Sequence, residues 1–278
     1  MTNGLSLYIQ TQIYQVSLIT AYFKFLTKST NQHGVHSPFV FDLVTKCFYD
    51  KTKYAEYEVL QQYRNSLLKN NSIISVTDFG AGSRIFKSKH RKISAIAQNA
   101  GISKKRAELL FRLVRYFEPQ AVLEIGTSLG LATTALSLGS PKAKIITLEG
   151  CPNTQNVAKK QFHNFRLNIQ NIEFVTTEFS AFLKNNQLPP ANRYIIYFDG
   201  NHSKEATLEY FKLLLPTATN DSVWIFDDIH WSKEMEEAWE EIKTHEKVKV
   251  TIDTFQWGLV FFRKEQEKEH FIIRAGIL

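Results

Sequence analysis

A five-residue apolar run, Ala121 to Ile125, leads into Gly126-Thr127-Ser128-Leu129-Gly130, and an apolar helical stretch, Leu131 to Leu138, follows without a gap. A strand that ends in a glycine-bearing turn and restarts as a helix needs sheet neighbours beside it and a helix layer over it. This run therefore commits the chain to an α/β fold. It also gathers backbone N–H groups and the positive end of a helix around one point, which suits a small anionic group. Twenty-five residues after Glu124, Glu149 closes the next strand, Lys144 to Leu148. A carboxylate there can accept two hydrogen bonds from a ribose diol.

The same grammar repeats downstream. Apolar runs at 121–125, 144–148, 172–175, 194–198, 222–226, 247–253 and 257–262 read as strands, and helical spacing fills the gaps at 129–138, 153–167, 178–184, 203–214 and 232–243. Strand–helix alternations followed by two strands with no helix between them predict a parallel sheet closed by an antiparallel hairpin that turns at Thr254-Phe255-Gln256. The expected fold is α/β: a Rossmann-like sheet of seven strands with the last antiparallel, helices on both faces, and a helical N-terminal appendage. In such sheets ligands lie beyond the carboxyl ends of the strands, near the point where strand order reverses. Polar residues collect at those ends: Glu149 with Gly150 and Cys151, then Thr177 and Glu178, Asp199 with His202, and Asp227 with Asp228, His230 and Trp231.

The turn reads G-x-x-x-G rather than G-x-G-x-x-G, with Glu124 two residues before the first glycine. That spacing argues against a nicotinamide dinucleotide and for a nucleoside that lacks a pyrophosphate. Glu124 to Thr133 resembles motif I of the class I S-adenosylmethionine-dependent methyltransferases, closest in flavour to the catechol- and caffeoyl-CoA-type O-methyltransferases, and the resemblance spans roughly Gly101 to Arg263. It implies S-adenosyl-L-methionine as cofactor. The methionine carboxylate would meet the turn of Gly126, Thr127, Ser128 and Gly130, and the ribose would meet Glu149. The adenine would lie on Gly150 and Cys151 beside Thr177 and Glu178, with Glu124 and Asp199 completing the rim. The family more often carries Gly-Asp where this chain has Thr177-Glu178, and Cys151 reads equally well as a small loop residue.

Asp199, Asp227 and Asp228 resemble the divalent-metal site of those enzymes, which have Asp after the fourth strand and Asp-Asn after the fifth. Three oxygen ligands with open positions suit Mg²⁺, which would lower the pKa of a bound hydroxyl. Two departures leave another route open: Asp228 replaces the usual Asn, and His202 stands where those enzymes usually place a lysine base. His202 is then a candidate general base near neutral pH without a metal, with Asp199 and His230 as further catalytic candidates. The acidic pair suits an amine or sugar hydroxyls as well. The leading expectation is methyl transfer to a small-molecule hydroxyl. Transfer to nitrogen or to nucleic acid is the alternative, but the N/D-P-P-Y/F motif of base amino methylation is missing after the fourth strand, where Tyr197-Phe198-Asp199-Gly200 stands. A non-catalytic binding protein is the third reading, opposed by the intact Glu124, Glu149 and Asp199.

Residues 1–100 are expected to form the helical, basic appendage, a substrate cap or oligomer contact, and 101–278 the cofactor-binding catalytic domain. Residues 1–110 carry net +9 and residues 111–278 net −2. That split suggests an anionic acceptor. The cluster Arg84, Lys87, Lys89, His90, Arg91 and Lys92, followed by Lys104, Lys105 and Arg106, comes with no RNA-binding motif, which disfavours nucleic acid. Asp78-Phe79-Gly80-Ala81-Gly82 imitates motif I, but a basic run follows it and no acid-ended strand does, so it reads as a lid carrying Arg84 or as a plain turn. Leu5, Ile9, Ile13, Val16, Ile19 and Phe23 recur at helical spacing. Packing on the same domain or in a homodimer is favoured over a membrane surface, because cations flank only one end. No membrane span or secretory leader is evident, and Cys47 and Cys151, far apart, fit a reducing cytoplasm.

Overall fold

A computed structural model of the chain describes residues 18–77, 88–185 and 188–276. The central strands are rich in branched and aromatic residues and are buried on both faces, as a parallel sheet between helix layers requires. They are β3 (Ala121–Ile125), β4 (Lys144–Glu149), β6 (Tyr194–Phe198) and β7 (Val223–Asp227). β5 (Ile172–Thr176) forms one edge. On the other side β9 (Trp257–Phe261) runs antiparallel to both β7 and β8 (Val250–Asp253), as the hairpin pattern predicts. Thr254 makes the turn: its N–H donates to the Trp257 carbonyl at 2.8 Å and its hydroxyl accepts the Trp257 N–H at 3.2 Å. The sheet has eight strands rather than seven, in the order β10-β8-β9-β7-β6-β3-β4-β5. The extra one, β10 (Glu269–Ile272), is a short, half-exposed edge strand parallel to β8 and carries too few apolar residues to announce itself.

Alternation along the strands divides the core. Leu123, Ile196 and Phe226 face α9 (Lys204–Leu214) and α10 (Lys233–Thr244), while Val122, Ile195 and Ile225 face α5 (Lys104–Phe117) and α6 (Leu131–Gly139). The remaining helices are α1 at residues 18–28, α2 (Pro38–Leu43), α3 (Glu56–Leu68), α4 (Ile93–Asn99), α7 (Pro152–Asn164) and α8 (Phe179–Asn185). A small hairpin pairs β1 (Ile73–Ser75) with β2 (His90–Lys92), so part of the basic cluster is a strand.

The described part of the N-terminal hundred residues shares the core of the sheet. Val40, Leu43, Leu60, Tyr63 and Leu67 belong to one buried cluster with Leu109, Leu113, Val122 and Ile225. Fully burying side chains of this kind contributes about 1.5–3 kcal/mol each. Leu5 to Val16 of the proposed first helix, and the glycine loop with Arg84 and Lys87, lie outside the described residues. Among the described residues no helix is long and apolar enough to cross a membrane.

Candidate active site

Strand order reverses between β3 and β6, and there the backbones come very close. The Asp199 N–H donates to the Ile125 carbonyl at 2.9 Å. Gly126 adopts φ 108°, and a Cβ at that position would sit 2.3 Å from the Asp199 carbonyl oxygen, so no other residue fits. Three non-glycine residues on the same rim hold left-handed backbones: Ser128 at φ 47°, Asn201 at 51° and Asp228 at 53°. Such strain, of order 1–3 kcal/mol per residue, clusters at ligand sites.

The turn itself is not the open anion cradle its sequence suggests. The N–H groups of Gly126 and Thr127 both donate to the Leu148 carbonyl at 2.9 Å, and that of Gly130 donates to Thr127 O at 2.8 Å. The first two bonds tie the turn to β4, the third closes the turn on itself, and all three donors are spent. Glu124 also lies beneath the cleft rather than in it. It is fully buried, and one carboxylate oxygen accepts the Thr133 and Thr147 hydroxyls at 2.5 Å each. Burial outweighs those bonds and pushes its carboxyl up to about 8. Glu124 thus positions the turn by fastening α6 to β4.

The cleft opens above the turn and is lined by Ser128, Glu149, Gly150, Thr177, Glu178 and Asp199, with Thr77 and Arg91 contributed by the β1–β2 hairpin. Glu149 is fixed by two backbone donors, Ser128 N–H at 2.8 Å and Cys151 N–H at 2.9 Å, one on each oxygen. Glu178 accepts the N–H groups of Ser180 at 3.0 Å and Ala181 at 2.7 Å, so its carboxylate caps α8 at the cleft wall. Cys151 turns away from the cleft: it is buried, and its sulfur accepts the Thr77 N–H at 3.4 Å and contacts the Ser75 carbonyl at 3.8 Å. Thr154, in the first turn of α7, lines the cleft in its place, and its buried hydroxyl has no hydrogen-bond partner among the described residues. Thr154 was not legible as a site residue, because nothing in the sequence says which face of α7 looks at the cleft.

Asp199, His202, Asp227 and Asp228 do converge, but around a fifth side chain. Arg106 of α5 donates through Nη2 to Asp227 Oδ1, holds Nη1 4.0 Å from Asp228, and lies with its guanidinium carbon 5.3 Å above the Trp257 ring. Asp227 also accepts the Tyr197 hydroxyl at 2.8 Å and the Asp228 N–H at 2.7 Å. Burial opposes the charge on Asp227, but Arg106 and then His202 hold its carboxyl below the ordinary carboxylate range. Burial, reinforced by the charge of Asp227, pushes Asp199 up to about 8 and raises Asp228 as well. Asp227 therefore has both oxygens committed. Among the described residues no group of three His, Cys, Asp or Glu side chains is arranged to hold a metal ion. The three-aspartate Mg²⁺ site expected from the sequence does not fit this geometry, because a guanidinium is bonded into it.

His202 is one-quarter exposed and lies with Nε2 3.6 Å from Asp199 Oδ1. Burial disfavours its imidazolium, yet the interaction with Asp199 and the charges of Asp228, Asp199 and Asp227 win and push it up to about 9. The near-neutral titration expected from sequence is displaced upward, because three carboxylates surround the ring.

His230 is not placed for proton transfer. Its Nδ1 meets Glu236 and its Nε2 meets Asp253, each at 2.9 Å, and its ring stacks on Phe255. Both nitrogens are engaged, and the imidazole clamps the loop after β7 to the β8–β9 hairpin. Burial lowers and the two carboxylates raise its pKa, with a net rise. A raised folded pKa adds stability that is fully present below the unfolded value, about 6.5, and is lost as pH climbs through the folded value. His230→Ala should cost about 1–3 kcal/mol at pH 6 and measurably less at pH 9, by urea unfolding at the two pH values.

Residues 123–229 match the family model described as a methyltransferase domain. The match runs from β3 to the loop after β7, so that stretch is similar to a methyltransferase domain. No curated protein sequence matches the chain. Among solved structures, it superposes on the S-adenosylhomocysteine-bound methyltransferase PaMTH1 of Podospora anserina with TM-score 0.56, 11% identity, and coverage of 82% of this chain and 97% of that one. An O-methyltransferase from Bacillus cereus in complex with S-adenosylhomocysteine gives 0.52, 16%, 76% and 92%. TomG from Streptomyces achromogenes, an O-methyltransferase of tomaymycin synthesis in complex with S-adenosylmethionine, gives 0.52, 13%, 76% and 91%. At these identities the solved structures speak for the shared fold.

Proposed function

We propose that the chain binds S-adenosylmethionine in the cleft above the Gly126–Gly130 turn and transfers its methyl group to the hydroxyl of a small-molecule acceptor. The observation that carries this reading is Glu149, a carboxylate at the end of β4 that is oriented by two N–H donors and lines the cleft, where a ribose diol would meet it. The Thr154 hydroxyl, five residues further along the same cleft wall and without a partner among the described residues, suits a nitrogen of a purine edge. The cofactor supplies an electrophilic methyl on a sulfonium sulfur. The chain's own residues orient the acceptor and take its proton. His202, at the rim beside Asp199, is the base in this reading, and Asp199 holds its ring in place.

An anionic acceptor is supported by the net +9 of residues 1–110, and the segment before residue 101 is proposed to cover the acceptor as well as share the core. Oxygen is favoured over nitrogen because the O-methyltransferases named above share the fold.

Calorimetric titration with S-adenosylhomocysteine tests the cleft. Glu149→Ala should weaken binding by about 1.5–3 kcal/mol, since charge-assisted bonds to two hydroxyls are lost while the fold survives. An affinity equal to that of the unmutated protein would remove the ribose assignment. No heat at millimolar ligand from the unmutated protein would instead favour a non-catalytic protein on this fold.

A further inference from the structure

We infer that Arg106 is this protein's built-in cation, occupying the position among the carboxylates after β6 and β7 that a divalent ion would need. A metal would have to bind Asp227 through oxygens already committed to Arg106, Tyr197 and the Asp228 N–H. The guanidinium is no surface visitor. Its side chain is 12% exposed, it is bonded to a carboxylate that is 3% exposed, and Trp257, itself fully buried, covers one face. A planar cation with five donors in a fixed fork serves two neighbouring carboxylates without needing oxygen ligands of its own. Arg106 arrives from α5, ahead of the first strand of the main sheet, so the charge is delivered from outside the polar rim that holds its partners. The acceptor site then works with a protein cation in place of Mg²⁺, and the extra negative charge of Asp228 is matched by it.

Mn²⁺ titration followed by the electron paramagnetic resonance signal of the free ion tests this without any acceptor. The unmutated protein should leave the signal unchanged up to about 1 mM ion. Arg106→Met, which keeps the bulk and removes the charge, should bind one Mn²⁺, and divalent ion should raise its melting temperature but not that of the unmutated protein, as ligand linkage requires. Binding by the unmutated protein that disappears in Asp228→Asn overturns the assignment. So does a folded Arg106→Met that binds no ion. If Arg106→Met does not fold in EDTA, refolding in about 10 mM MgCl₂ is the same readout: recovery supports the assignment and no recovery overturns it. The inference rests on the methyltransferase reading only for what the acceptor site does. Failure of S-adenosylhomocysteine binding alongside the expected Mn²⁺ results would sink that reading and leave the cation assignment standing.

Discussion

Arg106→Met is expected to lower the unfolding free energy by about 3–5 kcal/mol, the largest single-residue loss among those considered. Removing one member of a buried ion pair leaves the other charge uncompensated, and Asp227 is almost fully buried. The loss is therefore mostly the penalty on Asp227 and should be largely recovered by adding Asp227→Asn, whose amide carries no charge and still meets the Tyr197 hydroxyl. Acid should narrow the gap. In the unmutated protein Arg106 holds the Asp227 carboxyl below its ordinary range, so that pair contributes stability above the unfolded pKa and loses it as pH falls through the folded one. In the variant, burial without the guanidinium favours the protonated carboxyl, so lowering the pH relieves the penalty. Urea denaturation at pH 7 and pH 5 should show a smaller difference between the two proteins at pH 5. An undiminished difference would mean that lost packing against Trp257, rather than charge, is the cause.

His202→Ala is expected to reduce methyl transfer by about 10²–10⁴-fold with cofactor affinity unchanged, the range typical of a lost general base. The pH profile separates this role from a structural one. The carboxylates around His202 stabilise its imidazolium, so only its deprotonated form can accept the acceptor's proton. Activity of the unmutated protein should therefore keep climbing above pH 8, with its midpoint near pH 9 and not near 6–7. In His202→Ala that rise should vanish. Dialysis against EDTA should leave the profile as it is, in keeping with a resident guanidinium. A profile that is flat between pH 7 and 9, together with full activity of His202→Ala, would leave proximity to the sulfonium as the source of rate.

Much of this protein is written locally. The strand, turn and helix at 121–138 depend on neighbours in sequence: branched residues that bury two faces, a glycine where φ must be positive, and an apolar stretch that closes on the sheet. Five of the predicted helices and all seven predicted strands lie within a few residues of their observed positions for the same reason, and Glu149, Asp199 and Asp227 do stand at strand ends. Glu149 is the clearest case, since strand end and carboxylate are both visible in one segment.

Residue identity alone could not say which polar group faces the cleft and which faces something else. Glu124 and Glu149 both sit at the ends of neighbouring strands, yet one is sealed under α6 by two hydroxyls and the other stands at the mouth. Cys151 leaves the cleft wall to Thr154 because the β1–β2 hairpin packs over the sulfur. His230 looks catalytic until two carboxylates, one from α10 and one from β8, are found on its two nitrogens. Above all, Arg106 and Asp227 are 121 positions apart, and no local pattern links a basic helix start to an acidic strand end. Secondary structure follows from backbone sterics and the period of apolar residues, which act over a few positions. The charge state of a site follows from Coulomb interaction and desolvation, which depend on distance in space, and only the folded chain brings that cation to those carboxylates.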